Sequence, residues 1–135
     1  MNLAQAGSLL LTAGLFGGML LFAGGFAAFL FTALPVDQAR LLIRRAFPHF
    51  YLFVIGAAGL AAAAAAWVDV LAATVLLAVA LSTVPTRQWL MPAINRATDS
   101  GARARFARLH GLSVAVTLLH IAAAGWALVR LAAGA

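Results

Sequence analysis

Residues 109–129 read LHGLSVAVTLLHIAAAGWALV. The run holds no formal charge, yet it carries His110, Ser113, Thr117 and His120. At 100° per helical residue, these four fall within an arc of roughly 80°. A stretch this long and apolar fits a bilayer, and its single polar stripe implies one side turned toward neighbouring helices. It is read as the segment around which the others pack.

Three more uncharged runs precede it: Met1–Val36, Ala46–Val68 and Val70–Thr86. The chain has 135 residues, 65% of them hydrophobic and only 9% charged. Soluble domains carry about a quarter charged residues, so this composition cannot cover a water-facing surface. A bilayer core of about 30 Å takes about 20 apolar residues as a helix. The expected fold is all-α, a four-helix transmembrane bundle forming one domain, with helices near 8–34, 48–66, 70–90 and 101–132. The first run lacks the positive flank of a secretion signal and is far longer than a signal core, so it is counted as a span.

The connecting stretches have their own signals. Pro35 ends the first helix. Val36–Phe47 places Val36, Ala39, Ile43 and Phe47 on one side and Asp37, Arg40 and Arg44 on the other, which predicts a short amphipathic helix on the membrane surface. Pro48 then suits the first turn of the second helix. Asp69 is placed to cap the third. Pro85 should kink that helix, with Thr83 or Thr86 satisfying the freed carbonyl. Pro92 opens a polar loop to Gly101, and Asp99 or Ser100 is the expected cap of the last helix.

All nine cationic residues are arginine, and eight flank the loop after the first helix or the link between the third and fourth. Arginine excess marks the cytoplasmic side. Both termini are therefore expected outside, in the periplasm, with the protein in a cell inner membrane. Anionic lipid headgroups are the expected partners of those arginines. The net charge of +6 reports topology in such a protein, and nucleic acid is not expected as a partner.

Small residues predict packing faces. Gly14, Gly18 and Gly25 share one side of the first helix, and Gly14–Gly18 is a GxxxG pair. Gly56 and Gly59 start a second small face. Without a hydrophobic drive in lipid, helices associate through close contact that glycine permits. The first face serves either packing within the bundle or a homo-oligomer.

Chemistry-bearing groups are few. His49 sits at the mouth of the second helix, His110 at the mouth of the fourth, and His120 about 15 Å deeper. A buried imidazole needs a hydrogen-bond partner, and an interhelical bond is the plain reading of His120. Ser113 and Thr117 most simply bond back to their own helix. Arg87, beside the Pro85 kink, suits an anion, a headgroup or a topology role. Two histidines on facing helices, His49 and His110, are the alternative site, for haem. With no cysteine and three acidic residues, no catalytic set is visible. The expected function is a transport-related or complex-associated membrane component without catalytic machinery, with a histidine-ligated redox protein as the alternative.

Three motifs occur in order: Leu34-Pro35 followed by Phe47-Pro48-His49-Phe50-Tyr51, then Arg87-Gln88-Trp89-Leu90-Met91-Pro92, then Phe106-Ala107-Arg108-Leu109-His110-Gly111-Leu112-Ser113. Together they resemble the transmembrane protein 205-like family, small four-helix membrane proteins that include a bacterial domain of unknown function. The resemblance covers nearly the whole chain. It implies a four-helix fold and a link to export or resistance, and it makes Phe47, Pro48, Pro92, His110, Gly111 and Ser113 family-like positions. The family commonly has asparagine about where this chain has Thr117.

Overall fold

The computed structural model describes residues 1–134, and among these there are helices and short turns but no strand. Four helices are long and apolar enough to cross a membrane: α1 Leu3–Ala33, α2 Val36–Ala65, α3 Val70–Asp99 and α4 Arg103–Ala132. The expected four-helix architecture is thus the observed one. Each helix packs on the next and α4 closes back on α1, leaving α2 and α4 diagonally opposite.

The core is filled. Leu15, Met19, Val54, Leu76 and Leu131 are the large side chains at its centre. Between them run Ala58, Ala61, Ala65, Ala72, Ala124 and Ala127, all with no exposed area. Alanine, more than glycine, supplies the close approach that helices in lipid need. Large residues such as Leu10, Leu21, Leu60 and Leu119 point outward, as a lipid environment allows.

The glycine faces depart from expectation. Of the five glycines on those faces only Gly18 is in tight contact, since a Cβ there would lie 2.6 Å from the Phe53 ring. A Cβ on Gly14, Gly56 or Gly59 would meet nothing within 4 Å, and one on Gly25 would meet only Leu21 of its own helix. The buried side of α1 is instead Ser8, Thr12, Leu15 and Met19. Thr12 donates its hydroxyl proton to the Ser8 carbonyl at 2.7 Å, so the polar atom is satisfied within the helix.

Two proline expectations are corrected. Val36–Phe47 is no separate surface helix: α2 runs unbroken through Pro48. Proline removes one backbone bond and disfavours helix just before it, but packing on both sides outweighs that cost. Phe22 of α1 stacks on Phe50 at 4.4 Å and meets Phe47 edge-on at 5.3 Å, so one ring grips the turns before and after Pro48. Further up, Ala39 is fully buried, and Arg44 pairs with Asp99 through two bonds of 2.6 and 2.8 Å. These contacts hold the amphipathic segment upright against α3.

Pro92 likewise opens no loop, because α3 continues to Asp99. At Pro92 the missing N–H falls in the first turn after a widened stretch, where it costs little. The α3–α4 turn is then only Ser100–Ala102. Gly101 adopts φ +69°, the Ala102 N–H reaches the Ala97 carbonyl at 3.0 Å, and the Gly101 N–H reaches that of Thr98 at 3.2 Å. This is a Schellman ending, which favours glycine at the left-handed position. Asp99 and Ser100 are therefore not caps of α4, whose N-cap is Ala102 without a side-chain bond. Asp69 does cap α3, accepting from Leu71 and Ala72 N–H at 2.9 and 3.0 Å.

Two helices contain a wide turn with an i→i+5 bond. In α1 it spans Leu21–Phe26, where Ala27 N–H bonds back to Phe22. In α3 it spans Thr86–Leu90, where Met91 N–H bonds back to Thr86. The α3 turn follows Pro85, which leaves the carbonyl four residues earlier without its usual donor. That carbonyl is Leu81's, and neither expected threonine bonds it: the Thr83 and Thr86 hydroxyls donate instead to the carbonyls of Val79 and Ser82 at 2.7 and 3.0 Å, each one turn back along the helix. Such turns occur often at functional positions.

Candidate functional site: a buried histidine and a lateral groove

Of the polar stripe on α4, only His120 enters the core, at 8% exposed. The helix packs on α3 along both halves, and toward the arginine end the stripe turns away from that contact. His110 is exposed and stacks on Phe106 at 5.3 Å. Ser113 is half-buried and returns its proton to the His110 carbonyl at 3.0 Å. Thr117 is half-buried beside it.

His120 meets two hydroxyls of α3, with Ser82 Oγ 2.8 Å from Nε2 and Thr83 Oγ1 3.4 Å from Nδ1. Ser82 has one proton, and its Oγ lies 2.7 Å from the Ala78 carbonyl. Giving that proton to the carbonyl leaves Oγ to accept from Nε2–H, so the network assigns the proton on His120 to Nε2. Thr83 gives its proton to the Val79 carbonyl, so its 3.4 Å approach to Nδ1 is packing and adds no hydrogen bond. The result is a polar clasp between α3 and α4 one turn before the wide turn. No carboxylate belongs to it. Ser82 and Thr83 carry half of this site and were not singled out as partners of His120. Their signal in the sequence is an adjacent hydroxyl pair inside an otherwise apolar span.

Arg87 lies within the α3 wide turn, half-buried, and its Nε–H donates to the Pro48 carbonyl at 3.2 Å. It thus ties α3 to α2 at the proline. His49 is adjacent in sequence, but its side chain lines a different space, between α1 and α2. His49, Arg87 and His110 therefore do not converge. His49 and His110 stand on diagonal helices, one in the α1–α2 groove and one on an outer face, so they do not fit a shared haem iron. Among the described residues no group of three or more His, Asp or Glu is gathered to hold a metal.

That α1–α2 space is a groove of about 780 Å³. One wall is the wide turn of α1, with Leu21, Gly25 and Phe26; the other is α2, with His49 and Phe53. It opens sideways, toward where lipid would be.

At the opposite end, Arg130 Nε lies 2.7 Å from Asp69 Oδ2, and the carboxylate side chain is 4% exposed. The Arg130 guanidinium also sits 5.6 Å from the Trp126 ring centroid. The N–H of Ala72, together with Arg130, holds the Asp69 carboxyl below its usual range against the opposing effect of burial. The C-terminal end of α4 is thereby pinned to the α2–α3 turn.

A filled bundle of four apolar helices, with one internal polar clasp and one lateral groove, defines a small multi-pass membrane protein. The chain belongs to the family described as domain of unknown function DUF4149, whose match covers residues 10–103. That match takes in the groove, Ser82, Thr83 and Arg87, and ends where α4 begins. No curated protein and no solved structure matches the chain.

Proposed function

We propose that this chain is a membrane-embedded accessory component that works through its lateral surface, with no solute path through its middle. The observation that supports the reading is the filled core: the centre of the bundle is packed with leucine, methionine, valine and alanine side chains. The one histidine inside it is bonded, His120 to Ser82 at the bundle's edge. A complex-associated role fits this better than efflux. Kinship with the transmembrane protein 205-like family is part of the same proposal. So is placement in a bacterial inner membrane with the arginine-rich end cytoplasmic, by the usual bias of arginine.

Two further readings keep their own tests. A homo-oligomer through α1 would have to use Gly14 and the exposed residues near it, because Gly18 is already covered by Phe53. The haem alternative calls for a Soret band after haem-replete expression, and the diagonal placement of His49 and His110 argues against one.

The main reading is tested by reconstituting the purified chain in vesicles. These should hold proton and small-solute gradients as well as empty vesicles do. A specific flux that H120L abolishes would overturn it.

A further inference from the structure

We infer that the α1–α2 groove is a binding site for one acyl chain of an anionic phospholipid, whose phosphate is met by Arg45. The inference rests on the lateral-surface reading above and names its ligand. The volume, about 780 Å³, falls in the range of roughly 300–1,000 Å³ typical of ligand sites. The groove runs along α1 from Gly18 to Phe29, about 16 Å at 1.5 Å per residue. Half of a bilayer core of about 30 Å is nearly the same length, so the groove matches one chain in one leaflet.

Its position in depth agrees. Gly18 is near the midpoint of α1, and Phe29 lies toward the Pro35 turn, at the end of the bundle where most arginines gather. The groove therefore occupies the arginine-side leaflet. The wide turn of α1 and the absence of a side chain at Gly25 create the space, since a Cβ there would meet only Leu21, at 3.6 Å.

Charge selects the headgroup. The groove walls are apolar except for His49, which can offer a ring N–H. Arg45 lies one helical turn before His49 on α2, toward the arginine end, and both are exposed. Among the described residues the ion pairs are Arg44–Asp99 and Asp69–Arg130, so Arg45 has no acidic partner there. The Phe22 contacts with Phe47 and Phe50 set Arg45 about level with Gly25, and its long side chain can carry the guanidinium up to the headgroup end of the slot, where it complements a phosphate attached to a chain. A zwitterionic headgroup brings its own ammonium beside the phosphate and answers that charge less fully.

The test uses the full chain in phosphatidylcholine vesicles, with Trp67, Trp89 and Trp126 changed to Phe and a single reporter, F26W, in the groove. Phosphatidylglycerol or phosphatidylcholine with brominated chains is then added at equal mole fraction. Brominated phosphatidylglycerol should quench F26W several-fold more strongly than brominated phosphatidylcholine. A control reporter on an outward position of α4, L119W, should show no preference. R45Q should bring the two lipids to parity, and G25L should lower quenching of F26W by both while helicity stays unchanged.

Equal quenching that R45Q does not alter would overturn the inference. So would absence of quenching in a folded protein. Loss of quenching as protein is concentrated in the membrane would assign the groove to a second copy instead. Gradient retention is measured on the same vesicles: a specific flux sinks the lateral-surface reading, whereas tight vesicles without lipid preference sink the lipid site alone.

Discussion

In α1 the wide turn contains two adjacent glycines and lies among phenylalanine rings; in α3 it follows a proline and lies among hydroxyls and a guanidinium. Both give up regular helical bonding for a few residues, yet they do so for different neighbours. The α3 turn is closed by polar groups: Thr86 bonds within its own helix, Arg87 reaches Pro48, and the Ser82–His120 clasp lies just before it. The α1 turn has no such bonds. It pushes Phe22 between Phe47 and Phe50 and leaves a groove beside Gly25. A break held by hydrogen bonds locks helices together, whereas a break held by ring packing leaves space next to it.

Substitutions should separate the two kinds. The largest effect is expected at Phe22, whose replacement by alanine removes the stack on Phe50 and the edge contact with Phe47. F22A should cost about 2–3 kcal/mol, below the full core value because the ring is half-buried. Unfolding in mild detergent measures it, and a loss under about 0.5 kcal/mol would mean the rings do not hold the α1 turn. Next comes His120. H120L should cost about 1 kcal/mol, the scale of an interhelical hydrogen bond in a membrane. If folding is unchanged but a measured activity disappears, His120 does more than clasp α3. T86V should cost only about 0.5 kcal/mol, since that bond lies within one helix. A loss as large as that of F22A would erase the distinction between the turns.

Acid provides a comparison outside both turns. Asp69 has a lowered folded pKa, so its contribution is complete above the unfolded value of about 3.9. It is lost as pH falls through the lowered value. The Asp69 contribution, read as the stability difference between the parent chain and D69N, should stay level from neutrality to about pH 5 and shrink below about pH 4.

Hydropathy and charge segregation made the helix count legible, because a bilayer imposes length and apolarity on every span. The Asp69 cap was legible for a similar reason, as a lone carboxylate directly before an apolar run. The behaviour of the prolines was not. Pro48 and Pro92 carry the local signature of a boundary, and what overrides it is distant in sequence: Phe22 against the turns around Pro48, and Asp99 against Arg44. The glycines misled in the same way. Spacing shows that Gly14, Gly18 and Gly25 share a side, but only contacts show that Gly18 meets a partner while alanines line the inner seam. His120 was recognisable as a midspan imidazole. Its partners depended on how α3 is rotated against α4, which periodicity does not specify.

The Schellman ending at Gly101 has a mechanical result. It joins two 30-residue helices, each about 45 Å long, where a bilayer core needs only about 30 Å. With no slack in the link, the polar ends of α3 and α4 form one paired post, braced at its side by the Arg44–Asp99 pair. Arg96, Arg103 and Arg105 are carried at its tip. Whatever meets those guanidinium groups meets them on two helix ends held in a fixed relation to each other.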